Sequence, residues 1–321
     1  MQRCTMSRQA GLDLQCENPD DDLGAIRPAD YGTRSAIMMS EATLHIRKAT
    51  GELVPFDEMR LRSALERSGA GEELIEEVTH AVMKELVEGM STRTIYKKAF
   101  ARLRSRSKRV AGRYKLKQAI MELGPTGFPF ERFVGELLKH QGYKVQVGVI
   151  VQGHCVSHEV DVVAEKDDRH YMVECKFHSD PARRCHVQVP LYVRSRFVDV
   201  ERQWKERPGH DNKFHQGWVV TNTRFTSDAI AFGTCMGMEL VSWDHPRHGS
   251  LRERVDASGL HPITCLSTLK RSEKERLLHD GVVLCTTLLD NAALLEAAGV
   301  KGNRAARILS EAKALTARIE Q

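Results

Sequence analysis

Two short segments near the middle of the chain combine apolar and polar positions in the way that β-strands do. The first covers residues 157–163 and the second residues 171–177, and Val, Tyr or Phe recur in both. Charged residues 166–169 lie between them and are typical of a tight turn. The pattern therefore predicts a β-hairpin, and a turn centred between Asp167 and Asp168 places Asp161 opposite Glu174.

The predicted hairpin brings two carboxylates together. Opposed Cβ atoms of an antiparallel pair are about 4.5–5.5 Å apart, so Asp161 and Glu174 would repel each other without a cation between them. A divalent metal ion is the candidate cation, because hard metal ions bind carboxylate oxygens. Lys176 follows on the same strand face as Glu174. A solvated sheet edge is the alternative, although the valines beside Asp161 indicate partial burial.

A helix is predicted before the hairpin, over residues 130–142, where apolar residues recur at helical spacing and Gly142 ends the pattern. Glu131 lies at the edge of the apolar stripe. Two interpretations of Glu131 stay open: it faces the core and the hairpin, or it is an exposed first-turn acid favoured by the helix dipole.

The surrounding pattern predicts an α/β domain with one core. Gln188 and Tyr192 are one helical turn apart in the segment that follows the hairpin. The other predicted elements are a strand over 144–151, a buried strand over 217–222, a helix over 225–237 and a final strand over 239–243.

Residues from about 130 to 243 resemble the PD-(D/E)xK nuclease superfamily, in its Mrr-like restriction-endonuclease branch. The family's metal aspartate falls on Asp161, and its Glu-x-Lys element falls on Glu174 and Lys176. The resemblance implies metal-assisted hydrolysis of DNA phosphodiester bonds, with Mg²⁺ or Mn²⁺ bound by Asp161, Glu174 and the backbone carbonyl of Cys175. Lys176 would position the attacking water and stabilise negative charge on the phosphate.

Three further positions match the family. Its helix acid, which would bind a second metal ion or a metal-bound water, falls on Glu131. Its Gln-x-x-x-Tyr element, which would orient the substrate backbone, matches Gln188 and Tyr192. The resemblance thus implies a catalytic set that extends from the hairpin to the helices on either side of it.

The first part of the chain carries a separate pattern. Residues 44–57 predict a small hairpin that turns near Gly51, and Asp57 is a candidate N-cap for the next helix. Every charged residue between Arg93 and Lys117 is Lys or Arg, which indicates either a solvated basic face or a polyphosphate partner. Further helices are predicted over 71–89, after Ser91–Thr92 and over 110–123, before Gly124-Pro125 breaks the chain.

Residues from 44 to about 120 resemble the ATP-cone domain. The resemblance implies that ATP or dATP binds as a regulator. The sequence contains no Gly-rich Walker loop that would bind a nucleotide for hydrolysis. The positions that match the family's binding elements are Lys48, Gly51, Phe56, Arg60, Arg113 and Tyr114.

The ends of the chain and its composition add weaker expectations. Residues 1–42 lack periodicity and predict a disordered tail without the apolar segment of a signal peptide. No segment has the length of a membrane span, and the eight cysteines lack Cys-x-x-Cys spacing, which fits a reducing cytoplasm. From about Lys270 the chain is helical, and the glycine-flanked turn near 299–302 is either a packing hairpin or a helix-hairpin-helix that contacts DNA.

The chain is therefore predicted to be an α+β multidomain protein. After the tail we expect an ATP-cone with a small β-hairpin at 43–124, a restriction-endonuclease-like core with a mixed central sheet at 126–250, and a helical segment at 255–321. The expected function is a cytoplasmic, homo-oligomeric DNA endonuclease that ATP or dATP regulates and that restricts foreign or modified DNA. The alternative is a nucleotide-sensing DNA-binding regulator without catalysis; an enzyme of nucleotide metabolism has no supporting site.

Overall fold

The computed structural model describes residues 44–206, 208 and 214–317, so the tail predicted for 1–42 lies outside the described residues. No helix in these ranges is long and apolar enough to cross a membrane. The N-terminal part contains short strands and helices in this order: β1 (His45–Arg47), β2 (Leu53–Pro55), α1 (Glu58–Arg67), α2 (Glu72–Lys84), β3 (Met90–Ser91), α3 (Thr92–Arg106) and α4 (Lys108–Tyr114).

The predicted N-terminal hairpin is present as β1 and β2, which pair antiparallel. Gly51 in its turn has a φ of 88°, a conformation that glycine adopts without steric cost. Asp57 caps α1 as predicted, because its side chain accepts the backbone N–H of Arg60 at 3.2 Å. The pattern did not predict β3, which pairs parallel to β1 and widens the hairpin into a three-stranded sheet.

The single helix predicted over 110–123 is interrupted in the structure. Its first part is α4, which ends at Tyr114, and a second short helix, α5 (Leu116–Met121), begins after Lys115. The apolar residues of α5 are buried in the core of the region that follows, with Ile120 fully enclosed. The chain therefore enters the central core before the Gly124-Pro125 break.

The central region has the predicted order of helix, three strands, helix, strand, helix and strand, with two additional two-residue strands at 184–185 and 224–225 that were not predicted. The elements are α6 (Phe128–His140), β4 (Lys144–Gln152), β5 (Ser157–Lys166), β6 (Arg169–Lys176), β7 (Arg184–Cys185), α7 (Gln188–Lys205), β8 (Phe214–Thr221), β9 (Arg224–Phe225), α8 (Ser227–Cys235) and β10 (Glu239–Val241). The five-stranded sheet has the order β10-β8-β6-β5-β4, antiparallel among β4, β5 and β6 and parallel from β6 to β10.

Helices cover both faces of this sheet. Tyr171 and Val173 of β6 pack with α6 on one face, while Met172 between them packs with Val193 of α7 on the other. This alternation follows from the two-residue period of a strand. Because β6 lies in the middle of the sheet, almost all of its side chains are buried, and a charged residue there needs specific partners.

The C-terminal helices extend the core on the α6 face. They pack as a group, and the turn between the last two has positive φ at Gly299 and Gly302. The elements are α9 (Leu251–Ser258), a short 3-10 helix (Ile263–Cys265), α10 (Arg271–His279), α11 (Cys285–Asp290), α12 (Ala293–Ala297) and α13 (Asn303–Thr316).

The last helix returns to the N-terminal part. Arg113 of α4 donates hydrogen bonds to the backbone carbonyls of Leu315, at 3.4 Å, and Ala317. A Cβ atom on Gly112 would lie 3.0 Å from the Leu315 side chain, so glycine permits this close approach. Helices α4 and α13 are therefore in direct contact.

Candidate active site

The sheet is irregular at Asp161. Strands β4 and β5 pair on both sides of it, at Val147–Val162 and Val149–Val160, but the pair of Gly148 and Asp161 is missing from the ladder. Gly148 has a φ of 64°, and Val160 and Val162 lie in different core clusters, on opposite faces. Strand β5 therefore changes its facing at Asp161, although its register with β4 is the same on both sides of that residue.

The hairpin of β5 and β6 has the predicted register and turn. Lys166 pairs with Arg169 and Val162 with Val173, and Asp167 and Asp168 both have positive φ, at 52° and 56°. Positive φ at both central residues is the geometry of a type I′ turn. The ladder ends at Val162–Val173, however, so Asp161 and Glu174 lie just beyond the last pair rather than inside the ladder as predicted.

Asp161 lies at the point where strands β5 and β6 separate. Its Oδ2 accepts the backbone N–H of Cys175 at 2.7 Å. Burial, and after it the negative charge of Glu174, raises the pKa of the Asp161 carboxyl to about 6, although the Cys175 hydrogen bond, Lys176 and Arg196 each lower it. The site therefore holds a carboxylate whose charge the protein does not fully compensate.

Glu174 is buried and has two cationic neighbours. Its exposed fraction is 7%, its Oε2 accepts a hydrogen bond from Arg196 Nη1 at 2.7 Å, and its Oε1 accepts one from Lys176 Nζ at 3.3 Å. Thr221 Oγ1 donates to the Lys176 carbonyl at 2.7 Å and fixes the end of β6. Lys176 itself remains 40% exposed, so its ammonium is accessible from solvent.

Glu131 lies in the first turn of α6 and is half-buried. Burial, together with the negative charges of Asp161, Glu159 and Glu174, raises the pKa of its carboxyl to about 7. These causes show that Glu131 is close enough to the hairpin acids to sense them, which favours the inward-facing interpretation. Cys175, by contrast, points its thiol into the core, and burial raises the thiol pKa well above its usual value.

Helix α7 lines the other side of Glu174. Gln188, Tyr192 and Arg196 follow at intervals of four residues and so share one helix face. The Arg196 guanidinium lies over the Tyr192 ring, 5.3 Å from its centroid, and also donates to the Glu159 carbonyl. Gln188 is exposed in the first turn of the helix.

Arg196 is the site residue that the sequence reasoning missed. It joins Glu174 to α7, and its side chain is only 12% exposed. The available signal was its position four residues after Tyr192, which extends the face begun by Gln188. Arginine on a helix is usually a surface residue, so this spacing alone did not distinguish it.

The donor atoms at this site suit a hard divalent cation held by few protein ligands. No group of three or more His, Cys, Asp and Glu in the described ranges has the arrangement of a metal site. Asp161 and Glu174 nevertheless raise the charge density at one point, as the elevated Asp161 pKa shows. Mg²⁺ commonly binds one or two carboxylates and keeps several waters, so a two-carboxylate set fits it.

Arg196 competes with such a cation for Glu174, which gives a testable expectation. Arg196→Gln removes a positive charge 2.7 Å from Glu174, so we expect Mn²⁺ to bind several-fold, roughly 3–10-fold, more tightly. Without metal, the same variant should lose about 1–3 kcal/mol of unfolding free energy, because Glu174 keeps only Lys176. Calorimetric Mn²⁺ titration and thermal melts measure both changes.

The matched control for that variant is Arg194→Gln on the same helix, whose acidic partner is Glu201 at 3.9 Å. It should leave Mn²⁺ affinity at the wild-type value. Unchanged or weaker Mn²⁺ binding in Arg196→Gln would contradict competition for Glu174.

The predicted nucleotide residues divide between two neighbouring cavities. Lys48 lines one of about 730 Å³, Arg113 and Tyr114 line another of about 220 Å³, and Tyr96 and Lys117 line both. Arg113 is committed to the carbonyls at the end of α13, and the Tyr114 ring stacks on Tyr96 at 5.2 Å. The residues that line neither cavity are Gly51, Phe56 and Arg60, of which Arg60 is 80% exposed and pairs with Asp57.

The predicted basic run is partly neutralised. Acids of α2 and the turn after it pair with the basic face of α3: Glu85 with Lys98 and Arg102, and Glu77 with Arg106. Much of α3 is therefore a solvated, ion-paired face.

Comparison with known proteins identifies two regions. A family model described as restriction endonuclease (Mrr_cat) matches residues 125–245, and a model described as AF1548-like, C-terminal matches residues 261–316. Neither range includes β1 to α4, so the N-terminal part has no counterpart in these two matches.

A relative and a solved structure each match more than half of the chain. An uncharacterized protein of Archaeoglobus fulgidus is 33% identical over 181 residues, which are 56% of this chain and 98% of that protein. The crystal structure titled as the protein of unknown function AF1548 aligns with a TM-score of 0.50 and 32% identity, over 60% of this chain and 98% of that one. The chain therefore belongs to the AF1548-like family, and its central region is a restriction-endonuclease domain of the Mrr type.

Proposed function

We propose that this protein is a metal-dependent DNA endonuclease whose activity ATP or dATP regulates. The observation that carries the proposal is the convergence of Asp161, Glu174 and Lys176 at the end of β6, inside a restriction-endonuclease domain. The nearness of Glu131 supports it, because its raised pKa records the charges of the same acids. The substrate would be foreign or modified double-stranded DNA.

Mg²⁺ or Mn²⁺ would be held by Asp161, Glu174 and the carbonyl of Cys175. A bound divalent cation supplies a Lewis acid that polarises the phosphate and acidifies a bound water. The Cys175 N–H keeps the Asp161 carboxylate at the gap between the strands, so this ligand is in place before substrate arrives. Arg196 pairs with Glu174 from α7, and a bound cation would have to share that carboxylate with it.

Lys176 would act on the water and the phosphate. Its ammonium is held near Glu174 but remains accessible, so it can donate to an attacking water and to a phosphate oxygen. Tyr192 and Gln188 lie along the same face of α7 on the exposed side of the site. They would orient the DNA backbone there.

The nucleotide part of the proposal rests on the N-terminal elements. The hairpin of β1 and β2 followed by α1 to α4 agrees with the order that the ATP-cone resemblance implies, and Lys48 lines a large cavity. ATP or dATP bound there would regulate cleavage, and we propose that it acts through homo-oligomer formation in the cytoplasm.

Cleavage of plasmid and linear DNA with Mg²⁺ or Mn²⁺ tests the proposal directly. We expect cleavage with the metal ion and none with a chelator, and a rate that changes when ATP or dATP is added. Both methylated and unmethylated DNA should be tried, since modification dependence is part of the proposal. Absence of cleavage on every substrate with either metal ion would contradict it.

The rival function is a DNA-binding regulator without catalysis, and one observation favours it. Arg196 already neutralises Glu174, as a structural ion pair in a degenerate site would. The rival predicts retained DNA binding with no stabilisation by Mg²⁺ or Mn²⁺.

The acidity of the site predicts how metal binding depends on pH. Burial holds the pKa of Asp161 at about 6 and that of Glu131 at about 7 in the metal-free protein. A protonated carboxyl does not bind the cation, so Mn²⁺ affinity should be full at pH 8 and fall as pH drops through these values. Calorimetric titration between pH 5 and 8 measures the curve. Glu131→Gln should move its midpoint to lower pH, and a pH-independent affinity would contradict the assignment.

A further inference from the structure

A large cavity lies where the N-terminal part meets the restriction-endonuclease domain. It has a volume of about 730 Å³, in the range of small-molecule binding sites. The turn of the N-terminal hairpin, the start of α3 and helix α5 form one side, and the loop after β6 forms the other. Six cationic residues line it and no Asp or Glu does: Lys48, Arg93, Lys117, Arg183, Arg184 and Arg224.

Four of these six cations have no carboxylate within salt-bridge distance among the described residues. Lys48 bonds to Glu52 at 3.0 Å and Arg224 to Asp244 at 2.6 Å. The four without such a partner are Arg93, Lys117, Arg183 and Arg184. Burial, and then the charge of Arg224, lowers the pKa of the Lys117 ammonium, which shows that positive charge is crowded here.

Two arginines oppose each other directly across paired strands. In the two-stranded sheet of β7 and β9, Arg184 is in register with Arg224. Like charges on neighbouring strands repel each other, and Asp244 pairs with Arg224 but not with Arg184, so an anion bound near Arg184 would be stabilised. The segments that precede these two strands are also joined, because Asn222 accepts the N–H of His178 and donates to its carbonyl, both at 2.8 Å.

We propose that this cavity binds the phosphates of a nucleoside triphosphate, and that Arg183, Arg184 and Arg224 of the restriction-endonuclease domain complete the site. The inference rests on the nucleotide regulation proposed above and adds the ligands from the second domain. Tyr96 and Met121 give an apolar surface for the base. The cavity is a recess lined from two sides, which suits a compact ligand better than a DNA duplex.

The position of the loop explains how the nucleotide would act on cleavage. Residues 177–187 connect Lys176 at the end of β6 to Gln188 at the start of α7. A triphosphate that binds Lys48 and Arg93 on one side and Arg183 and Arg184 on the other fixes this loop against the N-terminal part. Both the catalytic lysine and the α7 face that orients Glu174 are connected directly to it.

Calorimetric titration of the full chain with ATP and dATP tests the shared site. Arg183→Ala combined with Arg184→Ala should weaken ATP binding about tenfold or more, because two charge-assisted contacts to phosphate are lost. The matched control is Arg202→Ala combined with Arg247→Ala. Both arginines are exposed in the same domain and lie outside the cavity. It should bind ATP as the wild type does, and Lys48→Ala should weaken binding like the double variant.

Amide hydrogen exchange supplies the second measurement, and bound ATP should slow exchange over residues 179–184. If the double variant binds ATP with wild-type affinity while Lys48→Ala binds it more weakly, the shared site is wrong but nucleotide regulation is not contradicted. Loss of DNA binding with unchanged ATP binding overturns it in favour of a DNA phosphate site. No binding of ATP or dATP by the wild type overturns both this inference and the proposed regulation.

Discussion

Lys176→Ala should lower the DNA cleavage rate by about a thousandfold while DNA binding and thermal stability stay near wild type. The ammonium is accessible and its one side-chain bond, to Glu174 at 3.3 Å, duplicates the shorter bond from Arg196. Removing it therefore costs little structure. What it removes is the only cation at the site, within the described part of the chain, that is free to contact a water and a phosphate oxygen.

A lysine on the neighbouring sheet edge gives the matched control. Lys144 is exposed at the start of β4, and Lys144→Ala should cleave DNA at the wild-type rate. Binding of a labelled duplex and a thermal melt distinguish a catalytic loss from a folding defect. If Lys176→Ala retained more than about a tenth of the wild-type rate, Lys176 would have no place in the chemistry.

Asp161→Asn should abolish cleavage and at the same time stabilise the metal-free protein. The amide oxygen can still accept the Cys175 N–H, but it binds a hard cation far less well than a carboxylate does. Because burial raises the Asp161 pKa to about 6, the ionised carboxylate destabilises the fold above that pH. We expect a gain on the order of 1–2 kcal/mol in unfolding free energy at pH 8.

The sign of this gain can be checked against pH. The folded state takes up a proton on Asp161 more readily than the unfolded state, so the wild type recovers its stability as pH falls through about 6. The advantage of Asp161→Asn should therefore shrink between pH 8 and pH 4. Asp228→Asn, at an exposed position, is the control and should change neither stability nor cleavage. A destabilised Asp161→Asn protein at pH 8 would contradict an uncompensated charge.

The hairpin could be predicted in detail because its determinants are local. A two-residue turn at Asp167 and Asp168 sets the register, and the register determines which residues approach each other. The interruption at Asp161 was not predictable in the same way. It depends on Gly148 in the neighbouring strand, and an isolated glycine in a strand pattern indicates a bulge without saying which partner it affects.

Long-range contacts account for the rest of what the sequence did not reveal. Strand β3 has two residues and pairs with β1 more than forty positions earlier, which leaves no periodicity to detect. Arg196 contacts Glu174 across 22 positions, and Arg113 contacts Leu315 across 202. Arg196 and Arg113 are both charged residues on helices, and the sequence pattern around them is typical of a solvated surface.

The contact between α4 and α13 limits where this protein can be divided into separate domains. Arg113 and Gly112 fit against the end of the last helix, and Ile120 lies in the central core. A fusion that transplants residues 44–124 onto another enzyme would carry an exposed apolar helix with it, and the remaining nuclease would lose part of its interior. An exchangeable N-terminal module would have to end near Lys115, and even then the last helix would lose Arg113, which donates to its terminal carbonyls.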